Sequence, residues 1–219
     1  MNSRRYFIGR LVTLPLVALP LAALSLSATG MFSNPRFARA ASGVAGSGAV
    51  ITLPPPNKEG GLPLMQALNK RKSSRSFSAQ PISEQTLSDL LWATWGVSRA
   101  DGRRTAPTAR NEQQVAVFAA MQTGVWRYEG KKHELVQVLE DDTRADFGGA
   151  PLTLVYAAED GPYGAMHLGS LYQNAGLYCA SAGLANVVKA TGVEVLQGRL
   201  PLPKGYRILI VQSIGIPKS

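Results

Sequence analysis

Two stretches of the 219-residue chain concentrate side chains that can hold a ligand. Arg71-Lys72-Ser73-Ser74-Arg75-Ser76-Phe77 packs two guanidinium groups, an ammonium and several hydroxyls into one short run. Forked, permanently charged donors beside a hydroxyl suit a phosphate. Arg71 and Arg75 stand four apart, so a continuing helical turn would face them one way; a solvated basic turn is the alternative reading. The second stretch, Pro107-Thr108-Ala109-Arg110-Asn111-Glu112-Gln113-Gln114, opens onto an apolar run. Its amides and hydroxyl offer the mixed donors and acceptors that read the edge of a planar heterocycle, and taken alone it equally suits a capped turn. No nucleophile-and-base pair accompanies either stretch. His133 and His167 read as structural or solvated, and Cys179, between Tyr178 and Ala180, as a small core residue. One cysteine and two histidines exclude an internal disulfide framework and a thiolate zinc site.

In this order and at this separation the two stretches resemble the FMN-dependent nitroreductase family, whose domain carries R-x-S-x-R-x-[FY] near its start and P-S-x-x-N-x-Q-P further on. The first motif is complete as Arg71, Ser73, Arg75 and Phe77. The second matches at Pro107, Asn111 and Gln113, with Thr108 keeping the hydroxyl of the serine and Gln114 replacing the final proline. Leu171 to Leu177 and Ala182 to Ala185 are similar to the family's central helix, and Leu202 to Pro217 to its closing strand and turn. The likeness runs from about Leu62 to Lys218.

The resemblance implies an α+β homodimer with FMN at the subunit interface and a small electron-poor substrate, nitroaromatic-like or quinone-like. Arg71, Lys72, Ser73 and Arg75 would hold the phosphate, the ribityl chain and one edge of the flavin. Thr108, Asn111 and Gln113 would come from the partner subunit, Asn111 toward the pyrimidine edge. Gly192 would give a backbone contact near flavin N5, and Lys218 a charge to the phosphate. The flavin supplies the redox chemistry in such an enzyme, while the protein orients it and shapes its open face. The Arg103-Arg104-Thr105-Ala106-Pro107 lead-in is also similar to the azoline-oxidising branch, which runs as a dehydrogenase or oxidase.

These residues need elements to position them. Leu64, Met65 and Leu68 fall at helical spacing and lead a short helix toward Arg71. Ser83 is a plausible N-cap with Glu84 in the first turn, and Leu87, Leu90, Leu91 and Thr94 line one face of the helix that follows. Gly96 to Ala109 reads as a loop. Val115 to Met121, Val125 to Tyr128 and Glu134 to Leu139 read as strands of a meander, with a buried strand over Pro151 to Ala157. Met166 to Ala190 lacks proline, is apolar nearly all round and reads as one long buried helix. Tyr206 to Ile214 closes the chain as a last strand. The expected class is α+β with a mostly antiparallel sheet, and no internal repeat is visible.

The remainder concerns address and charge. Ser3-Arg4-Arg5-Tyr6-Phe7-Ile8 is a twin-arginine pair ahead of an apolar stretch broken by Pro15 and Pro20. It ends at Ala38-Arg39-Ala40, a small-x-small cleavage site. Residues 1–40 thus read as a twin-arginine signal, with export to the periplasm by that machinery; a retained membrane anchor is the weaker alternative. Outside the cytoplasm NAD(P)H is scarce, which leaves the electron donor unknown. Residues 41–61, rich in Gly, Ala, Ser and Pro, read as a linker, and residues 62–219 as the FMN-binding domain. Of the net charge of +9, five units lie in the first forty residues, leaving +4 without Lys/Arg blocks for the rest. That balance argues against a nucleic-acid partner. Two other classes remain as alternatives: a non-catalytic exported module that keeps the fold without flavin, and a basic protein that binds anionic polymers or membrane surfaces.

Overall fold

The computed structural model describes residues 48–218, so the twin-arginine segment lies outside the described residues. Seven strands form one sheet in the order β1-β4-β3-β2-β5-β7-β6, and every neighbouring pair that is registered is antiparallel. The strands are β1 (Val50–Thr52), β2 (Val115–Met121), β3 (Gly124–Glu129), β4 (Glu134–Leu139), β5 (Leu152–Glu159), β6 (Ala185–Lys189) and β7 (Tyr206–Gly215). Among the described residues three helices accompany them: α1 (Leu64–Lys70), α2 (Glu84–Trp95) and α3 (Gly164–Ala182).

The sheet's centre is apolar on both sides, which is why β2 and β5 read as continuous runs rather than alternations. Successive side chains of a strand point to opposite faces. Val117 and Ala119 therefore join Leu90, Leu91, Trp95, Leu168, Leu171 and Ala175 beneath the helices. Phe118 and Ala120 join Phe147, Leu196, Leu200 and Val211 on the other side, covered by short 3₁₀ turns. Helix α2 begins where its cap residue dictates: the Ser83 hydroxyl accepts from the Thr86 N–H at 3.1 Å.

Two expectations are corrected. The long helix over Met166 to Ala190 stops at Ala182, because Gly183 adopts φ 71° and closes the helix with its N–H on the Cys179 carbonyl. The chain then runs out as β6, which pairs with β7 at the sheet edge. Within the 41–61 stretch, residues 50–57 are more than a linker. Val50–Thr52 pairs with β4, Leu53 is buried, and the prolines lay the following segment along α2 as a strap. Ser88 Oγ donates to the Pro54 carbonyl, Gln85 Nε2 donates to that of Pro55, and both Asn57 nitrogens donate to the Asp89 carboxylate. Buried polar groups fix this segment, so its Gly/Pro composition does not set it free.

Candidate active site

The basic stretch leaves α1 at Lys70, and it does not continue the helix. Arg71 takes φ −60° and ψ 119°, while its N–H still reaches the Ala67 carbonyl. From there the chain is a ribbon stitched on both sides. Ser74 N–H donates to the Asn186 carbonyl of β6 at 2.7 Å, and Ser78 N–H to Ile216 at 2.8 Å. Phe77 bridges Pro217, and Lys218 N–H donates to the Ser76 carbonyl at 3.3 Å. Arg71 and Arg75 are therefore not the i,i+4 pair of a continuing helical turn, because the chain leaves the helix at Arg71. The same stitching brings the backbone of Lys218, almost at the end of the sequence, against the ribbon.

Charge along this ribbon is uncompensated. Seven cationic side chains among the described residues lie within 4.0 Å of a carboxylate, and Arg71, Lys72, Arg75 and Lys218 are not among them. All four are exposed, as is Ser73. Beside them, at the end of β6, Lys189 Nζ donates to the Phe147 carbonyl. Burial pulls the Lys189 ammonium below the usual lysine range, and the charge of Arg75 adds to the effect. Ser213 Oγ donates to the same carbonyl at 3.2 Å. Gly192 is left-handed (φ 86°) and sits over the Phe147 ring, which a Cβ there would meet at 3.4 Å. Phe147 thus joins Lys189 to Gly192. The sequence expectations did not include Lys189, although a single lysine directly after the apolar pair Val187-Val188 was the visible signal.

The second stretch forms a tight loop ahead of β2. Arg110, Asn111 and Gln113 all have φ between 50° and 56°, three left-handed non-glycine residues within four positions. Such residues persist only where their surroundings over-determine them, and they cluster at functional sites. Thr108 Oγ1 accepts from Gln113 N–H at 3.1 Å. The Gln113 amide accepts from Arg104 Nε at 2.8 Å and donates to the Gly102 carbonyl and to Asn111 Oδ1. Arg104 in turn donates to the Trp95 carbonyl and lies 4.7 Å from the centre of the Trp95 ring. Burial lowers the Arg104 pKa, partly offset by Tyr128 and Glu129. A Cβ on Gly130 would collide with this guanidinium, so glycine makes the room for it. Thr108 and Gln113 are thus engaged within the loop, while Asn111 is exposed at its surface.

Helix α3 separates the two stretches. The loop meets it at His167, in its first turn, through Ala109 N–H to Nε2. Arg71 meets it at Gly176, where an added Cβ would lie 3.8 Å from Arg71 Cγ and Cδ. The two positions are nine residues apart along the helix, about 14 Å of rise. Among the described residues no cluster of His, Cys, Asp and Glu could hold a metal ion, and no helix is long and apolar enough to cross a membrane.

Compared with known families, the chain matches the model of the Nitroreductase family over residues 68–216. The chain belongs to the nitroreductase family. It is accordingly an oxidoreductase, of a family that typically binds FMN. Its fold superposes on the crystal structure of a candidate nitroreductase from Ralstonia eutropha JMP134, with a TM-score of 0.71 and 36% identity. That match covers 81% of this chain and 94% of the other. A nitroreductase with bound FMN from Desulfitobacterium hafniense shares the fold at a TM-score of 0.51 and 18% identity, covering 71% of this chain and 89% of the other. A chain of the Escherichia coli microcin synthetase McbBCD complex does so at 0.60 and 20%, covering 90% and 85%.

Proposed function

We propose that this nitroreductase-family enzyme binds FMN and passes electrons through it between a donor and a small electron-poor substrate of nitroaromatic or quinone type. The observation that carries the reading is the uncompensated ribbon: four exposed cations gathered by backbone bonds, with no carboxylate near them among the described residues. A phosphate dianion is the partner such a set lacks. In this reading Arg71, Lys72, Ser73 and Arg75 bind the phosphate, ribityl chain and one flavin edge, and Lys218 adds charge to the phosphate. Gly192 gives a backbone contact, and Lys189 adds a second cation beside Arg75. Bound FMN supplies the hydride and electron chemistry. The protein's part is to hold the cofactor, keep one face open to substrate and balance the negative charge that reduction adds.

The site takes two copies of the chain, with Asn111 facing the cofactor held by the partner's ribbon, on a loop that Thr108 and Gln113 brace. Supporting this, the two stretches meet α3 nine positions apart, at His167 and at Gly176. Leu64, Met65 and Leu68 of α1 and Met166 of α3 also leave large apolar side chains in solvent. The chain is synthesised with its twin-arginine signal, exported folded to the periplasm, and reduced there by a partner other than soluble NAD(P)H.

Exchange of Arg75 tests the reading. Arg75→Ala removes a charge-assisted donor worth about 1.5–3 kcal/mol, so FMN affinity should fall at least tenfold with the melting temperature unchanged. Titration of apoprotein by flavin fluorescence measures it, and an affinity equal to wild type would defeat the assignment of the ribbon. Assays with quinone and nitroaromatic acceptors, run in both directions, then separate reductase from dehydrogenase.

A further inference from the structure

We propose that His167 is the positioning residue of the Thr108–Gln113 loop, and that through this loop it sets the affinity for flavin; the second half rests on the cofactor reading above. The imidazole is nearly buried, 7% exposed, in the first turn of α3. The loop's other restraints are internal, run to the Gly102 carbonyl, or belong to the Arg104–Trp95 corner. The bond from Ala109 N–H to His167 Nε2, 2.9 Å long, ties the loop to the helix, midway between Thr108 and Asn111.

The chemistry of that bond is one-directional. A backbone N–H can only donate, so Nε2 must be bare and the ring proton must sit on Nδ1. Tyr163 stacks on the imidazole with centroids 6.1 Å apart and planes 20° apart, which fixes the ring's orientation. Directly after the bonded Ala109 come two of the three left-handed residues, Arg110 and Asn111. Their conformation is costly by itself, so loss of the anchor at this point lets the loop relax toward ordinary backbone angles. Asn111 then no longer holds one orientation toward its ligand. His167 acts through Ala109 and touches no reacting atom.

The test compares two replacements in the full-length protein. His167→Gln keeps an acceptor at the reach of Nε2. His167→Phe keeps a ring against Tyr163 and removes the acceptor. Amide exchange of the peptide spanning 105–114 and FMN affinity by fluorescence titration are read on both. H167F is expected to exchange that peptide at least tenfold faster and to bind FMN about tenfold more weakly, and H167Q to restore both. Wild-type exchange and affinity in H167F would overturn the proposal, as would equal losses in both variants. If wild-type protein takes up no FMN, the cofactor reading fails separately. The exchange rate of H167F then decides whether His167 holds the loop.

Discussion

Ser88 has one hydroxyl proton, and that proton goes to the Pro54 carbonyl. Its contact of 2.7 Å with His133 Nε2 must therefore be accepted by the hydroxyl, which places the imidazole proton on Nε2. Nδ1 is then bare and accepts from Tyr128 OH at 2.9 Å. His133 is a neutral link between the strap, α2 and the β3–β4 hairpin. Burial lowers its pKa and Lys58 lowers it further, while the Pro54 carbonyl and Asp89 work in the opposite direction. With the folded value below the unfolded one of about 6.5, the folded state resists a proton that the unfolded chain accepts. The contribution is complete above the unfolded pKa and is lost as pH falls through the folded one. Wild-type protein should thus lose more thermal stability between pH 7.5 and pH 5 than His133→Gln does, as read by melting temperature; equal losses would contradict this. At this scale the sequence was legible in residue type but not in partnership. The amides of the second stretch were visible, whereas nothing local could reveal that Arg104 and Gly102 would claim the Gln113 side chain.

Elements follow from capping and period, and the misreadings come from the same rules. Ser83 announces α2 because its hydroxyl has the geometry to satisfy an orphan N–H, a local property. Gly183 ends α3 just as locally, but α3 also holds Gly169 and Gly176, so glycine alone did not mark the stop. The β-branched pair Val187-Val188 after it was the missed strand signal. Gly183→Ala should cost about 1 kcal/mol in urea denaturation, because φ 71° is unfavourable for any side chain. The strap escaped notice for a different reason: its order comes from hydrogen-bond partners 30 or more residues away. Asp89 accepts from both Asn57 nitrogens, from Gln85 and from Tyr178 OH, whose phenol pKa burial and the Asp89 charge push up to about 12. Asp89→Ala leaves these donors unmatched and should destabilise the fold by about 1–3 kcal/mol. It should also expose residues 53–62 to proteolysis, and a variant as stable and as resistant as wild type would refute the role of this carboxylate.

At the scale of the whole molecule, the proposed site calls for a second copy of the chain. A flavin held by Arg71 and Arg75 and edged by Asn111 needs both stretches at one place, and in one subunit they lie at different turns of α3. The apolar side chains in solvent on α1, with Met65 74% exposed, supply a face for a second copy. Met65→Glu combined with Leu68→Glu should therefore give a folded monomer with sharply reduced flavin content, as read by sedimentation and by absorbance. The α+β class and the antiparallel sheet were readable from the alternation of apolar runs and turns. The expectation of a homodimer came only from the family resemblance, because no pattern within one chain encodes which surface would meet a second copy. The most direct measurement is the absorption spectrum of the purified protein, followed by acid release of the chromophore and its identification. The account predicts flavin bands and about one FMN per chain. Protein that is colourless, and stays so after incubation with FMN, would contradict it.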